Sequence, residues 1–498
     1  MIVVQPDGKV LVGGLFEKLN GKTRNGFGRL NSDGTLDDAF DPKPIGPPYY
    51  TTVSRIVVQP DRKILLSGSF TNLGGQPRNG FGRLNPDGSL DVSFCPVIGG
   101  TVHSFAVQPD GKIIVGGLFT NLVGQARTNL GRLNGDGALD LSFHSAADGR
   151  VGAILLQPDG RILASGNFTK LAGEVRANVG RLNTNGTIDA TFDAQANTGT
   201  FADALQADGR ILVTGSFTSV GGYPRRYIAR LNENGSVDDS FNVTSDFYVS
   251  AVAIQTDGRI LVGGGFTNVA GQVRQALVRL NQDGTLDANF DAQLSGPASF
   301  GPLVWVNSVV IQADGRILVG GAFTGLAGQI RHSIGRLNAT GPVTQSLTLA
   351  DTTILWLRGG NGPEVNRASF EFSTDGVHWI NLGPSTRIPG GWQCTNTAAS
   401  ANAIIRARGF VGRSNSEWFV ANTTRPTIEM DDGGFGIRSN KFGFNIGGNP
   451  GEVVIVESSA NMNDWTPVST NLVGSGPFYF SDPGSINLPL RYYRTRIQ

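Results

Sequence analysis

A repeat constrains this chain more than any other feature. The phrase Q-x-D-G-[KR] recurs with its aspartate at Asp7, Asp61, Asp110, Asp159, Asp208, Asp257 and Asp314, and Arg62 replaces the glycine of the second copy. The interval is about 49 residues in the middle of the array and longer at both ends. Each unit runs through an apolar stretch into G-x-F, a glycine-containing loop ending in arginine, R-L-N, a second turn and usually L-D-x-x-F. The third unit shows the pattern complete, from Gln108-Pro109-Asp110-Gly111-Lys112 through Arg132-Leu133-Asn134 to Leu139–Phe143. A period of this length marks a repeat architecture.

Both x-D-G turns are hairpin signals flanked by β-forming residues. A three-residue loop explains the wording: proline suits the first turn position, aspartate the second, and glycine supplies positive φ. Arg62 in the glycine slot should therefore carry about 1 kcal/mol of backbone strain. Two hairpins make four strands, the size of one propeller blade. An open β-solenoid is the rival, but its coils are usually shorter and need caps at both ends. The expected fold is all-β, a seven-bladed β-propeller over 1–345 followed by two small β-sandwich domains. The short start before Asp7 and the loss of L-D-x-x-F at Gly341–Leu347 suit a closing blade made from both chain ends.

The pattern QPDGK-ILVGG-x-F, G-x-x-R, RLNxDGxLDxxF resembles the bacterial delta-60 repeat family over about residues 1–345. The resemblance implies a β-propeller and an extracellular setting, and brings no catalytic residues with it.

Counting outward from the second hairpin places Arg29 opposite Asp37, and likewise Arg83 and Asp91, Arg132 and Asp140, Arg181 and Asp189, Arg230 and Asp238, Arg279 and Asp287. Arg336 would face Thr344. Opposite charges paired across strands contribute about 0.2–1 kcal/mol and pin the register. A second series, Arg24, Arg78, Arg127, Arg176, Arg225, Arg274 and Arg331, either rims one face for an anionic ligand or bonds loop carbonyls; the second reading is preferred because every unit keeps it. The segment Asn31–Asp37 has the look of half a calcium loop but lacks its early acid, so a plain turn is expected. The Phe16, Phe70, Phe119, Phe168, Phe217, Phe266 and Phe323 series is read as packing between blades.

Beyond about residue 345 the repeat stops, and Trp356, Trp379, Trp392, Trp418 and Trp465 fall in the remainder. Short alternating strands suggest β-sandwiches over 346–424 and 427–498, joined through Thr423–Pro426. FEFSTDGVHWINL and VVIVESSANMNDWTPV share one plan and resemble immunoglobulin-like modules of bacterial surface proteins. STDGVHW is one residue short of an Asp-box and is read as a hairpin with a packed tryptophan.

A net charge of +1, from 41 basic and 40 acidic residues, offers no field for nucleic acid. No apolar run approaches the ~20 residues of a membrane span. The histidines His103, His144, His332 and His378 have no metal-binding spacing, and Cys95 and Cys394 lie in different expected domains, so neither a metal, a cofactor nor a disulfide is expected. MIVVQPDGK lacks the features of a signal peptide; an extracellular or surface location is expected on the assumption that such a peptide is missing. Activity should lie where the repeat fails. The longer connections after units one and six carry Tyr49, Tyr50, Phe300 and Trp305, aromatic residues suited to a sugar or peptide. The leading reading is a non-enzymatic binding or display protein with a glycan or protein ligand. The alternative is a carbohydrate-active hydrolase or lyase using Asp148, Asp203 or Asp246.

Overall fold

A computed structural model describes residues 1–46, 51–296, 304–338, 341–350, 352–373, 378–395, 404–412, 417–422, 427–429, 435–438, 441–447, 453–460, 464–474, 478–483, 485 and 491–497. The described chain is built of β-strands, and none of it forms a helix able to cross a membrane. It divides into two compact units. The first holds 1–345 together with 358–368 and 409–419; the second holds 346–357, 369–408 and 420–498.

The first unit is a seven-bladed β-propeller, one blade per repeat. In blade 3 the innermost strand Ile98–Val107 pairs with Ile113–Leu122, which pairs in turn with Leu130–Leu133. The two x-D-G turns lie at the same end of each blade. Gly8 N bonds Gln5 O at 2.9 Å and Gln5 N bonds Lys9 O at 2.8 Å, closing the expected three-residue loop. Arg62 takes a φ of 67°, the conformation that glycine holds in the other copies.

Three differences from the sequence reading have local causes. The fourth strand is reduced to a single bridge, as between Leu133 and Leu139. Asp140 ends it by accepting a hydrogen bond from Ser142 N through Oδ1, an Asx turn that bends the chain away from the ladder. A further hairpin stands between the second and third strands of each blade, as where Lys18–Leu19 pairs with Lys22–Thr23. Its central residues Asn20 and Gly21 both have positive φ, as the tight two-residue hairpin requires. Finally, no strand is exchanged between the array's ends among the described residues. Blade 7 packs on blade 1 instead, with Val310 and Leu318 against Ile2 and Val12 and with Ile2 N bonded to Ser308 Oγ at 3.1 Å.

The core of this unit lies between blades. Leu155 and Leu163 of blade 4 pack with Ile211, Val213 and Phe217 of blade 5, and equivalent clusters join blades 2 and 3, 3 and 4, 5 and 6, and 6 and 7. The innermost strands sit close to the second strands at a repeated glycine. A Cβ on Gly68, Gly117 or Gly166 would lie 2.0 Å from the carbonyl of Thr52, Thr101 or Arg150.

Segments 358–368 and 409–419, assigned from sequence to the 346–424 module, group with the propeller. Thr256 N bonds Gly362 O at 2.8 Å, and Glu364 N bonds Ile254 O at 2.9 Å. Pro363 and Val411 lie beside Val4, Ala204, Ile254 and Ile311, near the Q-x-D-G end of the innermost strands.

In the second unit Ile354 pairs with Cys394 and Trp356 with Trp392, both tryptophans being buried. A separate core gathers Phe444, Ile446, Val454, Val456, Val473 and Phe480. The proposed linker Thr423–Pro426 and residues 374–377 of the STDGVHW segment lie outside the described residues. Both cysteines are free.

Candidate functional site

The repeated arginines of the third strand meet their aspartates. Nε to Oδ2 distances are 2.8 Å for Arg29 and Asp37, Arg83 and Asp91, and Arg279 and Asp287, and 2.7 Å for Arg132 and Asp140, Arg181 and Asp189, and Arg230 and Asp238. Each pair is buried. The basic residue that ends Q-x-D-G-[KR] reaches the same carboxylate, as Lys9 does Asp37 at 2.8 Å and Arg161 does Asp189 at 3.7 Å. Burial opposes ionisation of Asp189, but hydrogen bonds from Thr191 and Arg181 outweigh it and bring its pKa from 3.8 down to about 2. Asp37, Asp91, Asp140, Asp238 and Asp287 are lowered by the same balance of burial against hydrogen bonds and positive charge.

These arginines also hold the ring together. Arg29 Nη1 donates to Pro86 O at 2.7 Å, Arg83 to Gly135 O at 2.6 Å, Arg132 to Thr184 O at 2.8 Å and Arg181 to Glu233 O at 2.6 Å, each carbonyl lying in the second turn of the next blade. Arg230 does the same to Gln282 O, and Arg336 to Ser32 O at 3.1 Å, from blade 7 back to blade 1. Each of the six paired guanidiniums covers the phenylalanine of L-D-x-x-F, from 4.1 Å for Arg29 over Phe40 to 4.9 Å for Arg279 over Phe290. One side chain thus serves strand register, the blade's own core and the neighbouring blade.

The second arginine series bonds loop carbonyls: Arg24 Nη1 to Thr23 O at 2.8 Å, Arg78 to Pro77 O at 2.7 Å, Arg127 to Ala126 O at 2.9 Å and Arg331 to Ile330 O at 2.8 Å, with Arg176, Arg225 and Arg274 alike. The carboxylates of Asp148 and Asp246 are also engaged in loop structure. Asp148 Oδ1 accepts from Thr169 N and Lys170 N at 2.8 Å, and Asp246 Oδ1 from Thr267 N at 2.9 Å. Burial raises both pKa values, yet these hydrogen bonds prevail and hold them below 3.8. Such acids are poor proton donors at neutral pH. The Asp203 side chain lies outside the described residues, as do Tyr49, Tyr50 and Phe300.

Trp305 is described, and it does not stand alone. It opens the innermost strand of blade 7, its Nε1 donating to Ser250 Oγ at 3.0 Å. Its ring meets Phe247 edge-on at 5.6 Å; Phe247 meets Tyr248 at 4.9 Å, and Tyr248 meets Tyr227 at 5.1 Å. Four aromatic rings therefore run across blades 5 to 7, at the end opposite the Q-x-D-G turns, and Tyr248 is 40% exposed. Two departures from the repeat make room for them. Gly265 stands where the other units carry Leu15, Ser69, Leu118, Asn167, Ser216 and Ala322. A Cβ there would come within 2.5 Å of the indole Cε3. Tyr227, with φ of 65°, fills the turn position held by Gly26 and Gly80 in blades 1 and 2.

Comparison with known proteins agrees with the blade count. Residues 5–40, 59–94, 108–143, 157–192, 206–241, 255–290 and 312–342 match the family described as a domain of unknown function (DUF5122) beta-propeller. The propeller repeats belong to this family. No curated protein matches the chain. Among solved structures it is similar to PorZ of Porphyromonas gingivalis, described as an essential bacterial surface component of the type-IX secretion system. That match has 12% identity and a TM-score of 0.33, and covers 85% of this chain and 69% of that one. A tetra-tandem repeat in the extending region of a large adhesion protein matches at 12% identity and a TM-score of 0.14, covering 71% of this chain and 98% of that one. At TM-scores this low neither neighbour bears on the role of the chain.

Sequence reasoning missed two things about the DUF5122 repeats. The stacking of arginine on phenylalanine had a visible signal, since the two recur together in six units. Tyr227, Phe247 and Tyr248 were passed over because each lies in a connection, where aromatic residues carry no period to read.

Proposed function

We propose that this chain is a non-enzymatic binding protein of the cell exterior whose propeller offers the Tyr227–Phe247–Tyr248–Trp305 cluster to a glycan. The observation that carries the reading is the coincidence of the aromatic cluster with the places where the repeat fails. Aromatic faces suit the C–H faces of sugar rings, and the tyrosine hydroxyls at their rim suit sugar hydroxyls. Residues common to every blade are engaged in folding, as the arginine and aspartate contacts illustrate. The segments 346–424 and 427–498 are read as immunoglobulin-like sandwiches that space or attach the propeller. A glycan array and a hydrolysis screen on the intact protein test this. Binding without turnover, lost in Trp305→Ala together with Tyr248→Ala, is expected. Turnover of a bound glycan, or binding indifferent to both substitutions, refutes it.

A further inference from the structure

The innermost strands hold a second departure from the repeat. Four residues before each repeat glutamine stand Met1, Ser104, Ala153, Ala202, Ala251 and Ser308, but blade 2 has Arg55. In blades 3 and 7 the serine there joins neighbouring blades: Ser104 Oγ accepts from Ile154 N at 3.0 Å and Ser308 Oγ from Ile2 N at 3.1 Å. Arginine cannot serve that purpose and is not needed for the fold that the other blades achieve without it.

Arg55 differs from the six paired arginines of the third strands in having no counter-charge among the described residues. Its side chain keeps some exposure, as a group lining a channel does, yet Nη2 is shut off from solvent and has no hydrogen-bond partner. No salt bridge to Arg55 or Arg150 occurs among the described residues, and burial alone pulls the Arg55 pKa down to about 10. The innermost strands of blades 3 and 4 also carry basic side chains. His103 occupies the bulge of the blade 3 strand, where the register shifts between Val102 and Ser104. Arg150 opens the blade 4 strand, its guanidinium 6.0 Å from the Phe201 ring. Burial, then the charge of Arg150, pushes the His103 pKa down. A buried, unpaired guanidinium is strongly unfavourable unless an anion joins it.

We propose that Arg55, on the innermost strand of blade 2, is the principal donor of an anion site for a carboxylate. The planar fork of a guanidinium matches a carboxylate. The assignment is independent of the aromatic cluster and of the glycan reading.

The test is calorimetric titration of the intact chain at constant ionic strength with sodium galacturonate, sodium acetate and, as the neutral counterpart, galactose. The wild type should bind galacturonate at least about tenfold more tightly than galactose, the size of one charge-assisted hydrogen bond. Acetate binding shows that the carboxylate alone suffices; galacturonate binding without acetate binding shows that the site takes sugar acids. Arg55→Ser installs the residue of blades 3 and 7, so the fold should persist and the ligand-free melting temperature should rise, while the preference for galacturonate disappears. Arg55→Gln, which keeps most of the volume, should lose the preference as well. Equal affinity for galacturonate and galactose in the wild type, absence of binding to either carboxylate, or an undiminished preference in both variants overturns the proposal.

Discussion

Replacing Arg181 by methionine removes a guanidinium whose side chain is only 2% exposed while keeping its aliphatic reach. Three contacts go together: Asp189 at 2.7 Å, the Glu233 carbonyl of the next blade at 2.6 Å and the Phe192 ring at 4.8 Å. Breaking a buried ion pair from one side costs about 3–5 kcal/mol, chiefly because the remaining charge is stranded. Asp189 is not fully stranded. Thr191 still donates to it through N at 3.0 Å and Oγ1 at 2.6 Å, and Arg161 stays 3.7 Å away. The cost should therefore fall at the low end, about 3 kcal/mol, more than a hundredfold in the folding equilibrium. Arg336 provides the control. It holds the same repeat position but is exposed, has no aspartate across the strand and keeps one bond to Ser32 O at 3.1 Å. Arg336→Met should cost under about 1 kcal/mol. Urea unfolding followed by circular dichroism reads both, and hydrogen exchange should show the Arg181→Met loss at blades 4 and 5 first. Equal destabilisation by the two substitutions, or a cost for Arg181→Met below about 1 kcal/mol, would refute the argument from burial.

Acid should unfold the propeller over a narrow range. The pKa of Asp189 is depressed in the folded state, so the stability from its pair is complete above about pH 4 and is lost as pH falls toward 2; a pH series of melting temperatures checks this. Arg62→Gly should raise stability by about 0.5 kcal/mol, because relief of strain at a φ of 67° exceeds the added freedom of glycine in the unfolded chain; chemical denaturation that finds a loss contradicts the turn assignment. Gly68→Ala should be destabilising by about 2 kcal/mol or more, since its Cβ would lie 2.0 Å from Thr52 O and only backbone movement relieves the clash; the midpoint of urea unfolding reports it.

Blade number, the two x-D-G turns and the facing of Arg132 and Asp140 were legible in the sequence, because each depends on residues within a few positions of one another. Turn chemistry sets hairpin register, and register decides which side chains face. The third-strand arginine was legible only on that side. That it also reaches Thr184 of the next blade could not be read, since the angle between blades follows from how whole sheets pack. The expected fourth strand failed on a local detail, the Asx turn at Asp140, which an alternating pattern does not reveal.

The functional residues divide along the same line. From sequence alone came the expectation that activity lies where the repeat fails, and Trp305 was singled out on that ground. Only the tertiary structure put Trp305 over Gly265 of the preceding blade and in line with Phe247, Tyr248 and Tyr227. Only the tertiary structure left Arg55 in the innermost ring with no acid beside it among the described residues. An arginine in a string of letters looks the same whether or not a carboxylate faces it. The difference lies in contacts between blades about 50 residues apart, and ring closure determines those contacts.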